Sequence, residues 1–93
     1  MTEKNAYLDA TPAQAATAEK LLRNILSVLR AQYFSYQTSH WQVKGSSFYG
    51  NHLLFQRLYE SVQDQVDQLA EKMVGYFGTE AVSLVPQMKS VYV

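Results

Sequence analysis

The stretch FYGNHLLFQRLYESVQDQVDQLAEKMVGY, Phe48 to Tyr76, sets the architecture of this 93-residue chain. Along it Phe48, His52, Phe55, Tyr59, Val62, Val66, Leu69, Met73 and Tyr76 recur in alternating steps of four and three. That spacing places all nine side chains on one face of a long α-helix. Gly78 is placed to end the helix, and Gly50, in the first turn, blurs only where it begins.

The residues before it read the same way. Thr11-Pro12 is a helix start, with Thr11 able to cap and Pro12 suited to the first turn. Helix formers then run unbroken to Lys44, with Ala18, Leu22, Ile25, Leu29, Tyr33, Tyr36 and His40 on one face. This helix would span about 45 Å at 1.5 Å per residue. Gly45 ends it, and Ser46 or Ser47 is placed to cap the next helix. Residues 1–10 read as a flexible polar arm. Residues 79–93 read as an irregular connection, because Pro86 breaks any longer helix. The expectation is an all-α single domain, 1–93, built on an antiparallel hairpin of two long helices. Leu54, Leu58, Ala70, Val74 and Phe77 fall outside the first seam and call for a further partner. Either two chains associate into a four-helix arrangement, or further helices belong to the bundle.

Composition narrows the function classes. Hydrophobic residues make up 47% of the chain, enough for a packed core and against disorder. Eight basic and eight acidic side chains cancel, so the basic excess of a phosphate-neutralising protein is missing and DNA binding is not expected. With no cysteine, disulfides and thiolate metal sites are excluded. The first residues lack a secretory signal pattern, and no window reaches the length of an apolar membrane span, so a cytoplasmic location is expected.

Beside the apolar seam runs a second series on one helix face: His52, Gln56, Glu60, Gln63, Asp67, Glu71 and Val74. Polar residues beside a seam are ordinarily a solvated flank, and a lone histidine on such a face is ordinarily a core residue. The symmetry of the series sets it apart. His52 with Glu71, Gln56 with Asp67 and Glu60 with Gln63 each have residue numbers adding to 123. Two copies of this helix packed antiparallel about a two-fold axis would therefore bring the histidine of one chain to the carboxylates of the other. Within one chain His52 and Asp67 lie about 22 Å apart along the helix and cannot meet. His40 ends the first helix, across a short turn from His52. The assembled set is His40 and His52 from one chain with Asp67 and Glu71 from its mate. Two imidazoles and two carboxylates suit Fe(II), Mn(II) or Zn(II) better than Cu(I).

The residues HWQVKGSSFYGNH, followed by FQRLY and DQLAEKM, resemble the Dps family, the ferritin-like miniferritins named as DNA-binding proteins from starved cells. The resemblance covers roughly residues 15 to 78. It implies ferroxidase ligands at His40, His52, Asp67 and Glu71, with Trp41 at the family's tryptophan position beside the iron. It also implies a four-helix bundle, a dodecameric cage, and oxidation of Fe(II), preferably by hydrogen peroxide, with iron storage and protection against oxidative damage. By the same resemblance AVSLVPQMKSVYV leads into a short connecting helix. The E-x-x-H motif of larger ferritins does not occur.

The chain departs from the family pattern in three ways. It matches the first two bundle helices only, as a half-length or truncated relative would. Gln56 stands where many relatives carry an aspartate for a second iron, and Ser46 replaces a histidine found in some, leaving that position short of ligands. The first residues pair Lys4 with Glu3 and Asp9 and are not the lysine-rich tail of DNA-binding members. The competing expectation is a structural helical dimer, or a degenerate half-length relative of that family, without ferroxidase activity. Tyr33, Tyr36, Tyr59 and Tyr76 are read as core and interface residues.

Overall fold

The structure, a computed structural model, describes residues 10–91, Val91 through its backbone alone. The expected flexible arm therefore lies almost wholly outside the described residues, as do Tyr92 and Val93. Every regular element described is helical: α1 (Pro12–Gln42), α2 (Phe48–Phe77), a 3-10 turn (Thr79–Val82) and α3 (Leu84–Val91). The helices α1 and α2 form the expected hairpin, a rod of 61 × 23 × 17 Å.

The start of α1 is a reciprocal cap. The Thr11 hydroxyl accepts the Gln14 N–H at 3.2 Å, while the Gln14 side chain accepts the Thr11 N–H at 2.9 Å. Two otherwise orphaned donors are satisfied, and Pro12 has no donor to lose. At the other end the Val43 N–H donates to the Ser39 carbonyl. The chain then turns at Gly45, whose φ of +91° lies in the region that favours glycine. Ser47 takes the cap position of α2 as expected, but its side chain makes no capping bond. Its ψ of 16° is not the extended conformation that aims a cap hydroxyl at the first turn. Backbone carbonyls take over, with Gly45 accepting from Phe48 and Ser47 from Asn51. Gly78 ends α2 at φ 91°, ψ 173°, a conformation close to glycine-only.

The core sits where α1, α2 and the 3-10 turn converge. Leu26, Met73 and Ala81 are buried there, with Leu22, Val66, Leu69, Ala70, Phe77 and Val82 packed around them. The α2 seam matches its expected face, with Val62 and Met73 buried and Phe55, Tyr59, Val66, Leu69 and Tyr76 half-buried. The α1 face needs correction. Leu26 and Ser27 are its buried residues in this region, while Ile25 is 42% exposed. The cause is α3 and the 3-10 turn, which fold back onto α1 and draw its buried stripe one residue round the helix. Arg23 helps to fix them there, donating from Nη2 to the Glu80 carbonyl at 3.2 Å.

The irregular connection expected for residues 79–93 is also corrected: residues 79–82 and 84–91 are helical. Pro86 is the third residue of α3, within the first turn, where its missing N–H removes no helical bond. A short helix here is what the family resemblance implied. Two residues thought to need an outside partner, Ala70 and Phe77, pack on the chain's own core. Leu54, at 52%, remains exposed. No helix among the described residues is long and apolar enough to cross a membrane.

Candidate metal centre

His40 lies in the last turn of α1 and His52 near the start of α2, and the Gly45 turn brings their rings into contact. The centroids are 3.6 Å apart and the planes 25° from parallel. Each ring also bonds the other residue's backbone. His40 Nδ1 lies 2.7 Å from the His52 carbonyl oxygen, and His52 Nδ1 lies 3.0 Å from that of His40. A carbonyl can only accept, so both Nδ1 atoms carry the proton. The His40 carbonyl is among the last four of α1, which lack helical partners, and the His52 ring satisfies it. The His52 carbonyl uses its second lone pair.

This exchange fixes the tautomer of both imidazoles. In the neutral ring, with Nδ1–H held by a carbonyl, Nε2 is the lone-pair nitrogen, the form in which histidine binds a metal. A backbone acceptor on Nδ1–H also orients the ring and raises its strength as a donor. His40 is buried and His52 half-buried. Phe48 stacks on His52, with centroids 5.2 Å apart, and Tyr59 meets His40 edge-on at 5.3 Å. The pair is thus an ordered element of the hairpin end.

Asp67 and Glu71 stand on exposed positions of α2, one turn apart. Like charges at that spacing repel by a few tenths of a kcal/mol, a tension that a bound cation relieves. They do not approach the histidines of their own chain, since Asp67 lies about 22 Å along the helix from His52. Among the described residues no three His, Asp or Glu side chains gather within the chain. Gln56 is engaged with its neighbour, donating from Nε2 to Glu60 Oε1 at 3.1 Å. Trp41 is 67% exposed. The chain by itself therefore brings together His40 and His52 and leaves Asp67, Glu71 and Trp41 facing outward.

Two features of this site go beyond the sequence. Tyr59, read there as a core residue and half-buried in the seam, also meets the His40 ring edge-on from the facing helix. The carbonyl exchange between the histidines left no signal in the sequence, because it depends on where the turn places two backbones.

No family model matches the chain, and no solved structure matches it. Among curated proteins it is 37% identical over 62 residues to a "Nutrient stress-induced DNA-binding protein" of Nostoc sp., covering 67% of this chain and 34% of that protein. A protein of the same name from Synechococcus sp. is 37% identical over 57 residues, 61% of this chain and 32% of that one. An uncharacterized protein of Haemophilus influenzae is 29% identical over 72 residues, 75% of this chain and 45% of its own. The chain spans about a third of the length of the two nutrient-stress proteins, 34% and 32%.

Proposed function

We propose that this chain is the iron-oxidising part of a Dps-type miniferritin, acting as an antiparallel homodimer or a larger assembly built from it. The substrate is Fe(II), bound by His40 and His52 of one chain with Asp67 and Glu71 of a second. The observation that carries this reading is the tautomer lock on the two histidines, which prepares two nitrogen donors at one end of the hairpin. The carboxylates that complete the set lie on the same helix at positions a two-fold axis would bring to those histidines. Two nitrogen and two oxygen donors suit Fe(II), with Mn(II) and Zn(II) as competitors. In the reaction two Fe(II) each give one electron to hydrogen peroxide. Its O–O bond breaks, and two protons complete two waters. The protein positions the iron, leaves room for the oxidant and keeps peroxide from splitting into free radicals.

The names of the two nutrient-stress relatives include DNA binding. The balance of eight basic and eight acidic residues supplies no counterpart to that activity, so iron oxidation is the reading carried forward. A second reading, a helical dimer without ferroxidase activity, draws on Gln56, whose uncharged amide is committed to Glu60.

The test is Fe(II) oxidation by peroxide in the wild type and in the double variant Asp67→Ala, Glu71→Ala. Both residues are exposed, so the variant is expected to keep its helical signal by circular dichroism. Its oxidation rate is expected to fall by at least about tenfold, by comparison with the loss on disturbing a metal site's surroundings. Equal rates would favour the second reading.

A further inference from the structure

We infer that the cavity between the first half of α1, the 3-10 turn and α3 binds a small carboxylic acid that also carries a hydrogen-bond donor, the chemistry shared by amino and hydroxy acids. The cavity measures about 250 Å³. Arg23, on its wall, lies about 25 Å along α1 from His40 at 1.5 Å per residue, so this site and the histidine pair are tested separately.

The cavity has two kinds of surface. Its floor includes Leu26 and Ala81, both buried in the core. Its polar wall includes Glu19, Lys20, Arg23 and Gln87. Two positive charges against one negative favour an anion, and the apolar floor takes a short carbon body. A guanidinium beside an ammonium suits a carboxylate, which accepts charge-assisted hydrogen bonds from both.

Two polar atoms of that wall lack partners. Arg23 Nη2 is committed, donating to the Glu80 carbonyl at 3.2 Å and lying 3.5 Å from Glu19 Oε1. Arg23 Nε is buried and has no hydrogen-bond partner among the described residues. Gln87 donates from Nε2 to the Val82 carbonyl at 2.6 Å, which fixes the amide with Oε1 as the free acceptor. That oxygen is likewise buried and unpartnered among the described residues. Buried polar groups are nearly always paired, and an unpaired one keeps its full desolvation cost. A donor and an acceptor left over on one wall define what a ligand must bring. Its carboxylate answers Arg23 and Lys20, and its hydroxyl or ammonium answers Gln87 Oε1. Neither orphaned atom faces open solvent, so the ligand meets them through a small turn of the two side chains toward the cavity. Arg23, with 37% of its side chain exposed, has room for that turn. Because Arg23 belongs to α1 and Gln87 to α3, a ligand that bonds both ties α3 to α1.

The experiment follows the Arg23 Nε–H and Gln87 side-chain amide signals by nuclear magnetic resonance in the full isotope-labelled chain, as L-lactate, L-alanine or propionate is added. Propionate has the same carbon body and carboxylate but no donor. Lactate and alanine are expected to shift both signals in a saturable way and to slow amide exchange in α3. Their dissociation constants are expected at about 1 mM, the scale open to so few atoms. Propionate is expected to move Arg23 alone and to bind more weakly. Arg23→Gln is expected to weaken lactate binding at least about tenfold. Arg23 also holds the 3-10 turn, so Lys20→Gln, at an exposed position, is the second variant, expected to weaken binding about two- to fivefold. Signals that no probe moves show a wall already satisfied in place, by its own side chains or by water, and overturn the inference. Lactate binding unchanged in both variants overturns the assignment of the carboxylate to this wall. Equal binding of all three probes overturns the need for a donor.

Discussion

Replacing His40 by alanine is expected to slow Fe(II) oxidation by at least about 100-fold, taking the upper end of losses seen when a ligand's support is removed as the floor for losing the ligand itself. The substitution also removes the Nδ1–H bond to the His52 carbonyl and the stacked ring at 3.6 Å. His40 is 8% exposed, so its truncation leaves a void at the hairpin end. A lost hydrogen bond and a partly filled cavity together cost about 2–3 kcal/mol. The two losses separate in His40→Phe, which keeps a ring to stack on His52 but offers no nitrogen. It is expected to regain much of the stability and none of the oxidation. Denaturant midpoints and stopped-flow iron oxidation on both variants check this. Oxidation at the wild-type rate in His40→Phe would remove the histidine from the site.

Met73→Ala is expected to give the largest loss of stability of any single truncation in α2. Met73 is fully buried, at 0% exposure, and joins Leu26 of α1 to Ala81 of the 3-10 turn. Methionine-to-alanine changes at such positions cost about 2–5 kcal/mol, from lost transfer energy and the cavity left behind. Small domains have total stabilities of about 5–15 kcal/mol, so this one change removes a large fraction. The urea midpoint should drop with an unchanged slope, measured at one fixed protein concentration because association also stabilises. A drop worth less than about 1 kcal/mol would show that the three-way junction is not the main core.

What the sequence revealed follows from how many partners each helix has. The seam of α2 was legible from His52 to Tyr76, because along most of its length it packs on one partner, α1; Phe48, expected on the same seam, is 44% exposed at its open end. The face of α1 was read one residue out of place around Ile25 and Leu26. There the helix meets α2, the 3-10 turn and α3 at once, and periodicity reports only an average direction. Pro86 was read as a breaker because its position within a turn depends on where α3 begins. Thr11 was legible as a cap because its partner, Gln14, is local. Ser47 was only half legible, since its capping power depends on a backbone angle set by the Gly45 turn.

The candidate site divides along the same line. That His40 and His52 end at one place was readable from the glycine turn between two long helices. Their exchange of hydrogen bonds through the opposite carbonyls was not, because it needs the two backbones in register to within a fraction of an ångström. The separation of Asp67 and Glu71 from their own histidines was readable from helix rise alone. The number symmetry about Glu60 and Gln63 turns that separation into the proposal of a shared site.

If each site takes its histidines from one chain and its carboxylates from another, two inactive variants should restore each other's activity. One variant carries His40→Ala and His52→Ala, the other Asp67→Ala and Glu71→Ala, and each alone is expected to be inactive. Unfolded together and refolded as a mixture, they form mixed dimers in which one of the two sites has all four ligands and the other has none. Peroxide-driven Fe(II) oxidation is expected to return in the mixture, in proportion to the fraction of mixed dimers. A mixture that forms mixed dimers and stays as inactive as its components would contradict it.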